Sequence, residues 1–192
     1  MNSILYILTG AAGHLAEGIL RILRNADCRV RGLLLPGETG IAGSNITYLT
    51  GDVTKPETLD PLFENTGEAR VIVLHCAGIV SIQKKVSPEV YRVNVTGTQN
   101  VIAKCRQYGV HRLVYVSSVH ALPEVKGAAV REVDHFSPDT VDGAYAKTKA
   151  EATQAVLDAA KRGLNAVIVH PSGIVGPVSY THLRAHETLR HL

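Results

Sequence analysis

Ser117, Ser118, Tyr145 and Lys149 are residue types whose spacing could serve proton transfer. Tyr145 and Lys149 stand four residues apart where a helical pattern begins, so both project from one helix face toward the same point. An ordinary tyrosine, with a pKa of about 10, is too weak an acid to relay protons at neutral pH, but a cation a few ångströms away lowers it by about 1 to 3 units. Lys149 is expected to supply that cation and bring Tyr145 into the range of a general acid/base. A Tyr and a Lys at this spacing arise by chance about 0.3 times in a chain of this composition, so position rather than the pair carries the reading. Ser117 and Ser118 close the fifth candidate strand, and ligands of parallel α/β sheets sit at strand carboxyl ends. Spacing alone leaves open which of the two faces a substrate.

A second constellation, TGAAGHLA over Thr9–Ala16, follows the first strand directly. Gly10 allows a tight turn out of the strand, and Gly13 leaves no Cβ where a pyrophosphate would approach the backbone. Ala16 is small enough for close helix–sheet packing. The free N–H groups of the helix starting at His14 would face the phosphates.

Short β-branched or leucine-rich runs alternate with longer amphipathic ones, which is the pattern of a parallel sheet with crossover helices. Strands are predicted at Ser3–Thr9, Cys28–Leu35, Ile46–Leu49, Val71–Cys76, Arg112–Ser117 and Leu164–His170. Helices are predicted at His14–Asp27, Lys55–Glu64, Pro88–Tyr108 and Tyr145–Arg162, the first with a buried stripe of Leu15, Ile19, Ile22, Leu23 and Ala26. Ile4–Leu8 and Val71–Leu74 lack alternation, as strands buried on both faces do. The fold class is therefore α/β, a doubly wound parallel sheet.

With 192 residues and 45% hydrophobic content, the chain suits one domain with a sizeable core. Its charge of +3 is spread without a basic block and there is no Trp, so composition gives no footprint for nucleic acid. The apolar run Ile4–Leu8 is far too short to span a membrane or form a signal core. Cys28, Cys76 and Cys105 have neither disulfide-framework nor zinc-site spacing, and no metal is expected. A cytoplasmic protein with reduced thiols is the expectation.

From Ile4 to Pro177 the chain resembles an extended short-chain dehydrogenase/reductase, of the NAD-dependent epimerase/dehydratase, dihydroflavonol-reductase-like and 3-beta-hydroxysteroid-dehydrogenase-like branch. The matching pieces, in family order, are TGAAGHLA, GDVT (Gly51–Thr54), HCAG (His75–Gly78), VNVTGTQN (Val93–Asn100), VYVSS (Val114–Ser118), YAKTK (Tyr145–Lys149) and HPSGIVGP (His170–Pro177). The resemblance implies a Rossmann-type NAD(P)-binding domain over residues 1–177. It implies cofactor contacts from Gly10, Ala12, Gly13, His14, Leu15, Asp52, Val53, Ala77, Gly78, Pro171 and Ile174, with Lys149 and Tyr145 at the nicotinamide. Ser118, Tyr145, Lys149 and Asn94 form the implied catalytic set. The implied chemistry is hydride transfer between the nicotinamide and a carbon bearing a hydroxyl or carbonyl of a small molecule. Net transfer would give a dehydrogenase or reductase, and transient transfer an epimerase or dehydratase. A homodimer is implied too. The alternatives are a non-catalytic dinucleotide-binding sensor or interaction module, or an inactive fragment of the enzyme.

Three departures qualify the match. Leu35 stands where relatives carry an acidic residue for the NAD ribose or a basic one for the NADP phosphate; Arg31 lies inside the strand and Glu38 past a Pro and a Gly, so NAD or NADP stays open with a lean to NAD. VHALPE (Val119–Glu124) replaces the usual ending after the serines, and His120 and His135 are loop histidines expected to be solvated. Extended members continue past HPSGIVGP into a substrate segment that is missing here. Residues 178–192, VSYTHLRAHETLRHL, hold three of nine His and no clean period. They resemble one translated frame of a transposase-type sequencing adapter, and an artefactual tail on a truncated chain is expected.

Overall fold

The computed structural model describes residues 3–83, 85–123 and 131–175. The boundary expected at Pro177 and the tail expected at 178–192 lie outside the described residues. Six strands, β1 (Ile4–Thr9), β2 (Arg29–Leu34), β3 (Ile46–Thr50), β4 (Arg70–His75), β5 (Arg112–Val116) and β6 (Ala166–Val169), form one sheet in the order β3-β2-β1-β4-β5-β6. Every neighbouring pair is parallel. The order reverses between β1 and β4, and that switch point is where such sheets bind ligands.

The central strands are buried on both faces, as their unalternating sequences require. Leu5 and Ile7 join Val73, Leu113, Tyr115, Val101 and Val156 on one face, while Leu8 packs with Ala16, Leu20, Val30 and Leu34 on the other. Full burial of each large apolar side chain contributes about 1.5–3 kcal/mol. A smaller cluster of Ala121, Leu122, Phe136, Val141, Ala146 and Ala150 anchors the loop region beside the last helix.

Helix α1 (His14–Leu23) is shorter than predicted, because the Asn45 amide donates to the carbonyls of Leu23 and Cys28, at 2.9 Å each, and closes off the chain there. Its buried stripe runs through Ala16, Leu20 and the partly buried Leu23, whereas the predicted Ile22 is 74% exposed. Two prolines break the helix predicted at Lys55–Glu64 into a 3₁₀ turn, Pro56–Thr58, and a single turn α2 (Asp60–Phe63). The predicted Pro88–Tyr108 helix becomes α3 (Pro88–Tyr91), a π-helical segment (Arg92–Thr96) and α4 (Gly97–Gln107). The wider turn carries Asn94 inward, and the Thr98 hydroxyl donates to the Asn94 carbonyl at 2.7 Å. Helix α5 (Ala144–Lys161) matches its prediction and starts at Gly143, whose φ of +92° suits a glycine. Among the described residues no helix is long and apolar enough to cross a membrane, and no cluster of His, Cys, Asp and Glu is placed to hold a metal.

Candidate active site

β5 and α5 bring Ser118, Tyr145 and Lys149 together at the carboxyl end of the sheet. The two serines separate cleanly. The buried Ser117 hydroxyl lies 2.6 Å from Thr153 Oγ1 and is tied into α5. Ser118 lies beside the Tyr145 hydroxyl instead, and its Oγ accepts the His120 backbone N–H at 3.2 Å. The His120 ring meets Tyr145 edge-on at 6.2 Å, while His135 is exposed. Segment Pro171–Ile174 is attached to the same place: the Val119 N–H donates to the Pro171 carbonyl at 3.1 Å, and His170 Nδ1 lies 2.9 Å from the Ser118 carbonyl.

The hydrogen bonds of Lys149 go to β5. Its ammonium donates to the Val116 carbonyl at 2.7 Å and to Tyr115 Oη at 3.3 Å, and lies 4.8 Å from the Tyr115 ring centre. Burial, which disfavours the charged form, lowers the Lys149 pKa to about 8. Burial also pushes Tyr145 up from its ordinary value, and the Ser118 hydroxyl opposes this without overcoming it. The lowering expected for Tyr145 is thus not met: burial leaves its pKa above the ordinary value, while the Lys149 ammonium is bonded to β5.

Asn94 is 1% exposed and its amide is spent inside the protein. Oδ1 accepts from Ile79 N–H at 2.7 Å, and Nδ2 donates to the Ile79 carbonyl at 2.9 Å and to Thr148 Oγ1 at 3.0 Å. It ties the chain after β4 to α5 at Thr148, one residue from Lys149.

A cleft of about 420 Å³ opens on the other side of the switch point, lined by Gly10, Gly13, Leu35, Asp52, Val53, Ala77 and Gly78 among others. Gly10 has φ +66°, and a Cβ there would sit 2.8 Å from Ala77 Cα, so only glycine lets these two turns touch. A Cβ at Gly13 would sit 3.1 Å from the Gly10 carbonyl. Gly13 caps α1 without a side-chain acceptor, and at the adjacent His14 a buried Nδ1 has no partner. Ala12 is exposed and Leu15 half-buried beside them. The Asp52 carboxylate accepts the Thr54 N–H at 2.8 Å, and the buried Val53 packs toward Gly97. Lys149 borders this cleft, since a Cβ on Gly78 would lie 3.7 Å from its Nζ.

Sequence reasoning missed the polar cluster beneath these groups. His75 is fully buried, with Thr9 Oγ1 at 2.7 Å from Nδ1 and Thr98 Oγ1 at 3.0 Å from Nε2. It stacks on Tyr115 at 5.5 Å, and burial drives its pKa down to about 3, so it is neutral. Burial likewise lifts the Cys76 thiol to about 12, which makes it inert. A histidine ending an otherwise apolar strand, RVIVLH, was the available signal.

Comparison with known proteins places this geometry. The chain is 32% identical to mouse 3 beta-hydroxysteroid dehydrogenase type 7 over 91% of its own length and 51% of the mouse protein. It is 31% identical to a putative dihydroflavonol 4-reductase of Synechocystis over 90% of its length and 50% of that protein. The chain thus spans about half the length of the curated relatives it matches. Thermus thermophilus UDP-glucose 4-epimerase, solved in complex with NAD, superposes with a TM-score of 0.73 at 21% identity over 98% of this chain and 64% of that one, which speaks to the fold. A family match over residues 7–192 takes in the glycine turn, the serine pair, Tyr145 and Lys149, and by that match the chain belongs to the 3-beta hydroxysteroid dehydrogenase/isomerase family.

Proposed function

We propose that the chain is the dinucleotide-binding and proton-transferring half of an NAD(P)-dependent oxidoreductase that interconverts a hydroxyl and a carbonyl on a small molecule. The observation that carries this reading is the place of Lys149: its buried ammonium stands where the cleft ends at Gly78, on the same helix as Tyr145. The cleft fits a dinucleotide on two counts. Gly10 and Gly13 remove the Cβ atoms that would fill the turn, and the unpartnered His14 Nδ1 and the uncapped first turn of α1 offer polar groups to an anion.

Gly10, Ala12, Gly13, His14 and Leu15 would hold the pyrophosphate, Asp52 and Val53 the adenine, Ala77 and Gly78 the adjoining ribose, and Lys149, Tyr145, Pro171 and Ile174 the nicotinamide end. A bound nicotinamide supplies the two-electron acceptor or donor. The Tyr145 hydroxyl, kept protonated at neutral pH by its raised pKa, is poised to give its proton to a carbonyl oxygen in reduction; the oxidative direction runs from the phenolate form, which takes the proton from the hydroxyl. Ser118 Oγ accepts from the His120 N–H and its hydroxyl stands against Tyr145, so a substrate oxygen placed between the two would meet both hydroxyls. Lys149 keeps a positive charge at the nicotinamide ribose below about pH 8.

Net oxidation or reduction is favoured over epimerisation or dehydration, because the dehydrogenase and reductase relatives stand at 31–32% identity and the epimerase at 21%. The test is Tyr145→Phe, assayed by NAD(P)-dependent oxidation of a 3β-hydroxysteroid and by calorimetric titration with NAD. Turnover is expected to fall about 10²- to 10⁴-fold while nucleotide binding persists. A variant as fast as the parent would remove Tyr145 from the chemistry, and a parent chain that binds no nucleotide would overturn the reading as a whole.

A further inference from the structure

We propose that Tyr115 is a positioning residue for Lys149: its hydroxyl and its ring hold the ammonium charged and fixed at the end of the cleft, so that Tyr115 governs the charge of the site. The inference rests on the reading of Lys149 as the cation of a dinucleotide site. A buried ammonium needs acceptors, and a carboxylate is the usual one. Among the described residues the ion pairs are Arg21 with Glu17 and Lys104 with Asp60, and Lys149 has none. The groups around it are neutral at pH 7: His75 and Cys76 from β4, Tyr115 from β5, Tyr145 one turn earlier on α5, and the Asn94 amide beside Gly78. Its charge is therefore held by one backbone carbonyl, that of Val116 at 2.7 Å, and by Tyr115 twice over. Tyr115 Oη lies at 3.3 Å, and the ring centre lies 4.8 Å from the ammonium.

The sheet places Tyr115 for this part. In the strand RLVYV, Leu113 and Tyr115 are fully buried and pack in the core with Ala152 and Val156 of α5. A phenol there costs free energy unless its hydroxyl is bonded. Oη accepts from Lys149, and the hydroxyls of Thr98 and Thr153 stand beside it to take its hydrogen. Tyr115 pairs with His75 in register across β4 and β5, so the two rings stack at 5.5 Å between centres. His75 brings no second cation to that ring. The Thr98 hydroxyl spends its hydrogen on the Asn94 carbonyl, so Thr98 Oγ1 accepts from His75 Nε2. His75 Nδ1 is then the acceptor of the Thr9 hydroxyl, whose oxygen takes the Ala77 N–H at 3.3 Å. One tautomer of the neutral imidazole satisfies every partner, and a protonated ring would leave the Thr9 hydroxyl facing an N–H. Tyr115 thus serves a single cation.

The experiment compares the 192-residue chain with Tyr115→Phe, which keeps the ring and removes the hydroxyl, from pH 6.5 to 10. Urea unfolding follows the Lys149 proton without any ligand, and calorimetric titration with NAD follows its effect on the cleft. In the parent, stability should rise and NAD affinity fall above about pH 8. In Tyr115→Phe both turning points should move down by about one pH unit. NAD should then bind about tenfold more weakly than to the parent at pH 9, and within about twofold of it at pH 6.5. In a Lys149→Met background, Tyr115→Phe should no longer change either pH dependence. Turning points that stay in place, while stability or affinity drops equally at every pH, overturn the proposal and leave Tyr115 a packing residue. A shift in unfolding alone, with no NAD bound by the parent at any pH, upholds the hold of Tyr115 on Lys149 and overturns the dinucleotide reading, so the two failures are told apart.

Discussion

Around Gly10 the wall of the site is backbone, and around Lys149 it is packed side chains. On the β1–β3 side, two strand-to-helix turns touch because Gly10 has no Cβ, the His14 Nδ1 is buried without a partner, and the Asp52 and Glu38 carboxyls accept only backbone amides of their own loops. On the β4–β6 side the polar groups are spent on one another: Thr9 with His75 and Thr98, Ser117 with Thr153, Asn94 with Thr148 and Ile79, and Lys149 with Tyr115 and Val116. One half receives a ligand by leaving atoms out. The other sets its reacting groups in advance by bonding everything beneath them, which is how a buried network orders a site without reorganising when charge develops.

The largest expected break in that contrast comes from the adjacent serines, which belong to the two different uses of polar groups. Ser118→Ala should lower turnover about 10²-fold, the effect of removing one donor from a developing oxyanion, with little change in melting temperature. Ser117→Ala should do the reverse, removing one buried hydrogen bond from Thr153, which keeps its bond to the Lys149 carbonyl, and costing about 0.5–1.5 kcal/mol of stability. Denaturant titration and steady-state kinetics on both variants test the pair. Equal kinetic losses would show that the two hydroxyls share one role.

A smaller effect should appear in acid stability, and it belongs to the packed half alone. His75 is neutral in the fold, with a pKa of about 3 against an ordinary 6.5. Between those values the unfolded chain binds a proton that the fold refuses, so stability falls as pH drops below about 6.5, by up to about 1.4 kcal/mol per pH unit. His75→Gln, compared with the parent by urea unfolding at pH 7 and pH 5, should be less stable at pH 7 but lose less on acidification. A parallel decline in both chains would mean that His75 takes up its proton in the folded state.

How legible each half was in the sequence follows the same division. Gly10, Gly13 and Ala16 announced the turn because backbone geometry leaves a residue-type signature that no distant partner is needed to read. The positions of the six strands and the boundaries of α5 were legible in the same local way, while the pairing of Ser118 with Tyr145 came from the family resemblance alone. The orientation of Lys149 was not: four-residue spacing placed it beside Tyr145, yet its direction is decided by the carbonyl of Val116 and the ring of Tyr115, 33 and 34 residues away in the chain. Asn94 and the π-helical turn that carries it were hidden likewise, because the amide's partners, Ile79 and Thr148, come from two other parts of the chain.

The buried lysine makes the most discriminating prediction, because one proton drives two trends of opposite sign. Its charged form is disfavoured by burial, with a pKa near 8 in the fold against 10.5 in the unfolded chain. Above about pH 8 the folded protein loses the cation at the end of the cleft, so kcat/KM and dinucleotide affinity should fall, approaching tenfold per pH unit. Over the same window the unfolded chain still holds the proton, so stability should rise with pH, by up to about 1.4 kcal/mol per unit. Unfolding and binding measured in parallel from pH 7.5 to 10 test both trends, and Lys149→Met should flatten them together. If binding declines in the parent without the matching gain in stability, the group that titrates is not Lys149, and the loss of affinity belongs to the open half of the site.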